Sequence, residues 1–363
     1  MQHTYTYNNQ DFQFERYPET KDHSLKAFSN AEIYALNHIG SYKNKSIGLY
    51  NDRFGFWNTC LDTFNPRTIW SYHSQTKAIK RNLDLNGIAF REELLFDQFE
   101  TINNPFDVVL LKVPKSLELF ENYLEHIWQN ANENTEIVCC FMTKYFTKGI
   151  LDKANLFFEE VEQSLAWKKS RLVILKQPKS QAPTSKLKSI EFNSKTYKQY
   201  PGVFSSSHID YATQFLTKYI NVKPDELNVL DLASGNGVLA HFCQESNPEA
   251  QLTLIDDFHL AVESSKLNTK NANYICRDSL DSVEDQSFDL IVSNPPFHFE
   301  HENNIDITLN LMKNVSRCLK PKGRFLFVAN NHLNYKTHLV NWFTHVYIVN
   351  KNEKFIILEC SNA

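Results

Sequence analysis

The stretch VLDLASGNG, at residues 229–237, decides which fold the chain adopts. A short apolar run ends near the acidic residue Asp231 and enters a turn that contains Gly235 and Gly237. Glycines let the backbone of such a turn approach a ligand closely. In an open α/β sheet, ligands bind beyond the carboxyl ends of the strands. The stretch therefore predicts a strand, a turn and a helix, with a binding site at the turn.

Around this turn, short apolar runs alternate with longer segments of helical period. The runs that we predict as strands are LNVLDLA, AQLTLID, ANYICRD, FDLIVSN and GRFLFVA. Helices are predicted near residues 238–246, 259–270 and 303–319. This alternation implies crossover connections and a mostly parallel sheet of the α/β class. Two closing runs, YIVN and FIILEC, predict a C-terminal antiparallel hairpin.

The first half of the chain repeats the second half at an offset of 182 residues. The landmarks that coincide are Gly55 with Gly237, Leu85-Asn86 with Leu267-Asn268, FDVV (106–109) with FDLI (288–291), and Pro114 with Pro296. Self-similarity at a long, fixed period is typical of a duplicated structural unit. The sequence therefore predicts two tandem copies of one α/β domain.

The boundary between the copies is predicted in KQPKSQAPTSKLKS, at residues 176–189, which has two prolines and three serines. Such a segment has little that could pack into a core. We expect a first domain at 1–178, a linker at 179–189 and a second domain at 190–363.

Composition excludes several classes of protein. The net charge of −4 argues against a general polyanion binder, although the region 168–198 has nine basic residues and one acid. That region is either a solvated linker or a local patch for phosphates. Seven scattered cysteines without a CxxC motif argue against disulfides and zinc, and for a cytoplasmic protein. No stretch predicts a signal peptide or a membrane span, and we expect a monomer without a metal ion.

Acidic residues stand at three successive predicted strand ends, at Asp231, Asp256 and Asp278. An acid at the second strand end can accept both hydroxyls of a ribose. An acid at the third strand end could bind an adenine amino group. The alternative is that these residues cap helices, a position that Asp favours. Their regular spacing favours a nucleoside site.

The motif SNPPFH, at residues 293–298, follows the fourth predicted strand. The side-chain oxygen of Asn294 and the backbone carbonyl of Pro295 can each accept an N–H from an exocyclic amine. Phe297 can stack on the ring that carries the amine, which is worth roughly 1–3 kcal/mol per base. The alternative is a loop that only ends a strand. The first interpretation predicts an enzyme that positions an amine for attack on an electrophile.

With these features, the second half resembles a class I S-adenosylmethionine-dependent methyltransferase. DLASGNG resembles the cofactor loop, and NPPF resembles the motif that methylates amines. The chain departs from the acid-x-Gly-x-Gly-x-Gly pattern at Ala233, so we expect weaker or slightly displaced cofactor binding. The residues that the resemblance places around the cofactor are Asp231, Ala233, Gly235, Gly237, Asp256, Asp278 and Asn294.

Over almost the full chain, the sequence resembles the paired-domain ribosomal RNA guanine-N(2) methyltransferases. The motifs that carry this resemblance are PGVFSSSHID (201–210), NPPFH, VANNHLNY (328–335), NEKFIIL (352–358), LKVPKSLELFE (111–121) and SLAWKKSRL (164–172). Two sibling families act on 16S and on 23S ribosomal RNA. The motifs ERYPETKD (15–22), LKVPK, LAWKK and NHLNY look more like the ribosomal RNA large subunit methyltransferase G family, which acts on 23S rRNA.

The resemblance implies two class I methyltransferase-like, Rossmann-like domains, the second of them catalytic. Its implied activity is transfer of a methyl group from S-adenosylmethionine to the exocyclic amine of one guanine in 23S rRNA, with 16S rRNA as the alternative substrate. His298 is the last residue of the NPPFH motif. Its alternative roles are to shape the base pocket, to accept a proton after the transfer, or to hold the turn. Other rivals are methylation of a protein glutamine amide, DNA adenine methylation and RNA binding without catalysis.

The first copy lacks the polar residues of the second. At the offset of 182, Leu49 stands opposite Asp231, Ser74 opposite Asp256, Lys112 opposite Asn294 and Val113 opposite Pro295. We therefore expect a degenerate first domain that supports folding or binds RNA. Candidates for phosphate contacts, which position RNA without reading its sequence, are Lys112, Lys115, Lys168, Lys169 and Arg171; the alternative is that they are ordinary surface residues.

Overall fold

A computed structural model describes residues 3–20, 22, 24–184, 186–295, 305–331 and 335–362, and only the backbone of residues 305–310. The chain divides into two compact units, Met1–Lys186 and Leu187–Ala363. Each unit contains a short N-terminal hairpin and a seven-stranded sheet.

The first unit alternates strands and helices after its hairpin. Its elements are β1 (His3–Tyr7), β2 (Gln10–Phe14), α1 (Asn30–His38), β3 (Ile47–Tyr50), α2 (Phe56–Cys60), β4 (Arg67–Ile69), α3 (His73–Leu85), β5 (Leu95–Phe96), β6 (Phe106–Lys112), α4 (Leu117–Gln129), β7 (Ala131–Met142), α5 (Lys148–Phe157), β8 (Phe158–Gln163) and β9 (Ser170–Pro178).

The second unit repeats this order. Its elements are β10 (Lys188–Phe192), β11 (Lys195–Gln199), α6 (Tyr211–Thr217), β12 (Asn228–Leu232), α7 (Val238–Ser246), β13 (Gln251–Asp256), α8 (His259–Lys266), β14 (Ala272–Cys276), β15 (Phe288–Ser293), α9 (Ile305–Cys318), β16 (Leu319–Asn330), α10 (Lys336–Leu339), β17 (His345–Lys351) and β18 (Phe355–Ser361). The strands and helices predicted in this half are confirmed, to within a few residues at their ends.

The two sheets have the same topology. The strand order is β5-β4-β3-β6-β7-β9-β8 in the first and β14-β13-β12-β15-β16-β18-β17 in the second. The first five strands of each order are parallel, and the last two join antiparallel. The predicted α/β class, the duplication, the mostly parallel sheets and the C-terminal antiparallel hairpin are confirmed.

Strand register confirms the offset of 182 at the centre of the sheets. Leu49 of β3 pairs with Leu110, and Asp231 of β12 pairs with Val292, so each pair is separated by 61 residues. The glycines that follow also match, because Gly55 and Gly237 each precede a helix with φ of 75° and 80°. A side chain at Gly237 would meet the Cα and Cβ of Ser265 at 3.2 and 3.0 Å, which explains why glycine is needed there.

Away from the central strands, the offset is wrong. Leu49 is paired with Thr68, whereas Asp231 is paired with Leu254, so Trp70 and not Ser74 is the counterpart of Asp256. Ser74 lies within helix α3. Compared with the first copy, the second copy has four more residues between the first and second parallel strands of its sheet. It has seven fewer residues between the second and third strands, and three more between the third and fourth. These differences cancel, so the offset returns at β6 and β15.

The match of Leu85-Asn86 with Leu267-Asn268 is also displaced by this four-residue difference in length. The true counterpart of Asn268 is Asn82. Nδ2 of Asn82 donates to the carbonyl of Phe54 at 2.7 Å, and Nδ2 of Asn268 donates to that of Asn236 at 2.8 Å. Each asparagine also bonds the end of its N-terminal hairpin. The duplicated units therefore fix the turn before the glycine by the same contact.

The sheet of the second unit is covered on both faces. Along β16, Phe325 and Phe327 pack into one apolar cluster, and Leu326 and Val328 pack into another. This alternation explains why the strand sequences are almost continuously apolar. Within the described part of the chain, no helix is long and apolar enough to cross a membrane, and no group of three metal-binding side chains occurs.

Candidate active site

The candidate site lies where the strand order of the second sheet changes direction. From β12 the chain crosses to β13 on one side, while β15 and β16 lie on the other side. Diverging crossovers leave a crevice at the carboxyl ends of the two central strands, which is the usual ligand site of such sheets. A cleft at this place, with an open volume of about 440 Å³, is lined by Phe204, Asp210, Thr213, Asn294 and the turn 233–236.

The turn after β12 is held in a fixed shape by backbone hydrogen bonds. The N–H of Ser234 donates to the carbonyl of Ile255 at 3.1 Å, and the N–H of Gly237 donates to the carbonyl of Ser234 at 2.8 Å. Ala233 adopts a φ of 58°, in the left-handed region that favours glycine. The alanine therefore keeps the loop conformation, at the cost of local backbone strain.

Asp256, at the end of β13, is tied to this turn. Its Oδ2 accepts the N–H of Gly235 at 2.9 Å, and its Oδ1 accepts the N–H of Phe258 at 2.9 Å. Burial raises the pKa of this carboxyl to about 6, although both hydrogen bonds lower it. Near neutral pH the group is an acceptor whose orientation is set by the loop and by the start of α8.

Asp231, at the end of β12, is fully buried beneath the turn. Its Oδ2 accepts the N–H of Ala240 in α7 at 2.9 Å. Burial, together with the nearby charge of Asp256, raises the pKa of this carboxyl to about 7. The residue therefore fixes the first turn of α7, which follows the glycine turn, and the charge of Asp256 disfavours its ionisation.

The turn fits a polar ligand with hydroxyl or ammonium groups. Two buried oxygens at the turn, Asp231 Oδ1 and Ser234 Oγ, have no hydrogen-bond partner among the described residues. A Cβ placed on Gly235 would contact nothing within 4 Å, so the space beside it is open. Unpaired buried acceptors are costly unless a ligand or water satisfies them. These features match the amino-acid and ribose groups of S-adenosylmethionine.

Asn294 follows β15 at the opposite wall of the cleft. Its Nδ2 donates to Asp210 Oδ2 at 3.0 Å and to Thr213 Oγ1 at 2.9 Å. Pro295 is buried beside it. Phe297 and His298, the remaining predicted residues of this motif, lie outside the described residues. Asp278 lies two residues beyond the end of β14 and is half-buried.

Of the predicted cofactor residues, Ala233, Gly235 and Asn294 line the cleft, and Asp256 is bonded to Gly235. The lining does not include Asp231, Gly237 or Asp278.

The structure also adds residues that the sequence analysis missed. Phe204 lines the cleft with a side chain that is 70% exposed. Asn236 Nδ2 donates to Oε1 of the buried Gln199 at 2.7 Å, which attaches the turn to hairpin β10–β11. Phe204, Asp210 and Thr213 lie in or just after PGVFSSSHID, a motif to which the sequence alone assigned no role.

The corresponding place in the first unit is filled by its own side chains. Arg53 stands at the position of Gly235, is 5% exposed, and donates from Nη2 to Ser74 Oγ at 2.7 Å. Its guanidinium carbon lies 5.3 Å from the centre of the Tyr72 ring. Leu49 and Trp70 replace the two acids. The first unit thus presents a filled crevice where the second presents a cleft.

Lys112, at the position of Asn294, forms an ion pair inside the first unit. Its Nζ lies 3.3 Å from Glu32 Oε2, and Glu32 is fully buried. Arg171 lies on β9, and its guanidinium donates to Gln163 Oε1 at 3.3 Å. Lys112 and Arg171, two of the five residues that we predicted to contact phosphates, therefore have partners within the protein.

Lys168 and Lys169 form the two-residue turn between β8 and β9. Both have positive φ, 44° and 63°, as a type I′ turn requires. The turn is closed by reciprocal 2.8 Å backbone hydrogen bonds between Trp167 and Ser170. The carbonyl of Lys169 also accepts the N–H of Thr143 at 2.8 Å. Since Thr143 directly follows β7, the turn lies at the carboxyl edge of the first sheet, as does Lys112.

Comparison with known proteins assigns the chain to a family. The RLMG N-terminal domain family matches residues 2–180, and the methyltransferase small domain family matches residues 194–359. Ribosomal RNA large subunit methyltransferase G of Psychromonas ingrahamii is 28% identical over 94% of this chain and 94% of its own length. The T. thermophilus 16S rRNA N2 methyltransferase (RsmC), solved in complex with AdoMet and guanosine, superposes with a TM-score of 0.77 at 17% identity. That likeness covers 100% of this chain and 98% of the other, and it confirms the paired methyltransferase fold. Two family matches, one in each half, and a relative that spans nearly the whole length place the chain in the ribosomal RNA large subunit methyltransferase G family of class I S-adenosylmethionine-dependent methyltransferases.

Proposed function

We propose that the protein transfers a methyl group from S-adenosylmethionine to the exocyclic N2 amine of a guanine in 23S ribosomal RNA. The observation that carries the proposal is the position of Asn294 across one cleft from the turn 233–236. An amide oxygen there can orient an amine beside the cofactor. The name of the P. ingrahamii relative supports the large-subunit RNA, and the name of the T. thermophilus structure supports the N2 position of guanine.

In this proposal, the second unit, whose bounds the sequence predicts as 190–363, holds the cofactor. Asp256 accepts the ribose hydroxyls, since its charge is held at the strand end by two backbone N–H groups. The backbone of Ala233 and Gly235 would lie against the methionine part, while Gly237 and Asp231 fix the turn against α8 and the start of α7. Asp278 bonds the adenine. The bound cofactor supplies an electrophilic methyl group.

The target amine is oriented by the motif after β15. The lone pair of an exocyclic guanine nitrogen is delocalised into the ring, so the nitrogen is a poor nucleophile. Asn294 Oδ1 and the carbonyl of Pro295 accept its two N–H groups and favour localisation of the lone pair toward the methyl carbon. Phe297 stacks on the base. As the new bond forms, the nitrogen releases one proton, for which His298 is the candidate acceptor.

The first unit, whose bounds the sequence predicts as 1–178, is proposed to hold RNA and to catalyse no reaction. Its filled crevice and the absence of acids at Leu49 and Trp70 argue against cofactor binding. The two-lysine turn at 168–169 offers two cations on a fixed backbone, and Lys168 Nζ also lies 4.7 Å from the centre of the Trp167 ring. Such a turn suits phosphate contacts that position an RNA.

The substrate is tested with tritiated S-adenosylmethionine and with 23S rRNA, 16S rRNA and total protein, each purified from a strain that lacks the gene. We expect label in 23S rRNA alone. Label in 16S rRNA would agree with methylation of a guanine amine but would overturn the assignment of 23S rRNA as the substrate. Label in protein that resists ribonuclease, with none in RNA, would overturn the proposal and favour a glutamine amide as the acceptor.

A further inference from the structure

We propose that Asp210 and Thr213 are positioning residues, which fix the side-chain amide of Asn294 so that only its oxygen is available to the substrate. The inference deepens the proposed function and rests on it for the identity of the amine. It concerns residues 84 and 81 positions away in the sequence.

The amide has two N–H groups, and both are used. One donates to Asp210 Oδ2 at 3.0 Å and the other to Thr213 Oγ1 at 2.9 Å. An ionised carboxylate can only accept hydrogen bonds. The nitrogen of the amide must therefore face Asp210, and the planar geometry sends Oδ1 to the other side. The orientation of Asn294 follows from this chemistry, although nitrogen and oxygen have nearly the same shape.

The two anchors are themselves held by regular structure. Asp210 is the N-cap of α6, and its Oδ2 also accepts the backbone N–H groups of Ala212 and Thr213 at 2.9 and 3.3 Å. Helix α6 packs against β16 in the second sheet, and Thr213 is buried. The Asp210 carboxylate that orients Asn294 is thus held in place by the start of a helix. It does not move with the amide if the Asn294 side chain rotates.

A mobile amide would be a poor orienting group. If the side chain rotated by half a turn about χ2, it would present N–H donors to an amine that itself donates hydrogen bonds. The two arrangements differ little in shape, so only the surrounding hydrogen bonds select one of them. Asp210 and Thr213 supply this selection before the substrate arrives, which is preorganisation of an orienting group.

The first unit illustrates how the arrangement changes when the amide is absent. Ser29 stands at the N-cap position of α1, as Asp210 does in α6, and Glu32 follows it by three residues as Thr213 follows Asp210. With Lys112 in the place of Asn294, the acceptor three residues into the helix is a carboxylate. In each unit, the start of the helix before the first parallel strand therefore carries acceptors that suit the side chain at the end of the fourth parallel strand. In the second unit, a carboxylate and a hydroxyl orient an amide. In the first unit, a carboxylate neutralises an ammonium group.

The test compares Thr213→Val with Thr213→Ser in the full chain. Valine keeps the shape and removes the acceptor, whereas serine restores it. We expect Thr213→Val to lower kcat for methyl transfer to rRNA by about 10- to 100-fold, with KM and the Kd for S-adenosylmethionine within about twofold of wild type. Thr213→Ser should recover most of kcat.

A second variant and a second readout separate the possible failures. Asp210→Ser keeps a residue type that favours the N-cap position but carries its oxygen on a shorter side chain, and it should also lower kcat. With ¹⁵N-asparagine labelling, the Nδ2 protons of Asn294, identified by their loss in Asn294→Ala, should exchange with water more slowly in wild type than in Thr213→Val. Equal exchange, or equal kcat for Thr213→Val and wild type, would overturn the inference. Wild type without activity on rRNA, but with protected Nδ2 protons, would overturn the proposed function alone.

Discussion

The ammonium group of Lys112 lies 3.3 Å from the carboxylate of Glu32, and this ion pair occupies the place that Asn294 and Thr213 occupy in the second unit. Glu32 is fully buried, and its Oε2 also accepts the N–H of Ser29 at 2.8 Å. A buried carboxylate needs a compensating charge or several donors. Lys112 is therefore part of the internal structure of the first unit.

Lys112→Met should destabilise the protein, because it leaves the Glu32 carboxylate buried without its cation. Breaking such a pair costs about 1–3 kcal/mol when one partner is partly exposed, which lowers Tm by about 2–4 °C per kcal/mol. Thermal unfolding measures the change. Lys112→Met combined with Glu32→Gln should recover most of it, since the amide still accepts the N–H of Ser29. An unchanged Tm together with weaker RNA binding would instead identify Lys112 as a phosphate contact.

Ala233→Gly should tighten cofactor binding. Ala233 has a φ of 58°, which costs an alanine about 1 kcal/mol relative to glycine. Glycine removes this strain and allows the loop to adjust to the ligand, so we expect Kd for S-adenosylmethionine to fall by up to about fivefold. Isothermal titration calorimetry is the measurement. An increase in Kd would mean that the methyl group of Ala233 contacts the ligand and that the departure from the glycine pattern is favourable.

Binding of the cofactor should weaken as the pH falls through about 6. The pKa of Asp256 is raised to about 6 by burial, so its carboxylate becomes protonated below that pH and loses acceptor capacity for the ribose. A one-site titration predicts a Kd about tenfold higher at pH 5 than at pH 7.5. Asp256→Asn should bind weakly at both pH values and keep only the part of the dependence that comes from Asp231, whose pKa is also raised by burial. A Kd that stays constant for the wild type between pH 5 and 7.5 would contradict the role of Asp256.

The two-lysine turn should contribute to RNA affinity and to its salt dependence. Replacing Lys168 and Lys169 by Gln should weaken binding of rRNA, and the slope of log Kd against log salt should fall by about 1 for each phosphate that a lysine no longer neutralises. Filter binding over a range of salt measures both quantities. Lys43→Gln is a matched control, because Lys43 is exposed and precedes β3, at the opposite edge of the same sheet. Equal effects of the turn variant and this control would reduce the turn to ordinary surface charge.

The centre of each sheet and the cofactor turn could be predicted from the sequence, because each of them is formed by residues that are close together in the chain. β12, its glycine turn and α7 form one continuous segment, and the apolar runs of β12 and β15 are short and strongly patterned. The duplication was visible because β3, β6 and their counterparts keep the same separation. Strand pairs in the interior of a parallel sheet have little freedom to change length.

The errors and omissions are long-range. Ser74 is matched to Asp256 only in a comparison without gaps. The segments between strands differ in length between the two copies by four, seven and three residues, and because these differences sum to zero, a comparison without gaps does not reveal them. Asp210 was overlooked because its sequence context is that of an ordinary N-cap. Only folding brings it within 3.0 Å of an amide 84 residues later.

The measurement that tests the account most directly is analysis of nucleosides by mass spectrometry after 23S rRNA from the gene-deleted strain has reacted with the protein. We predict N2-methylguanosine with wild type. We predict none above background with Asn294→Ala, whose Kd for S-adenosylmethionine should stay within a few-fold of wild type. A different methylated nucleoside as the product, or undiminished N2-methylguanosine with Asn294→Ala, would contradict the assignment of Asn294 as the residue that orients the target amine.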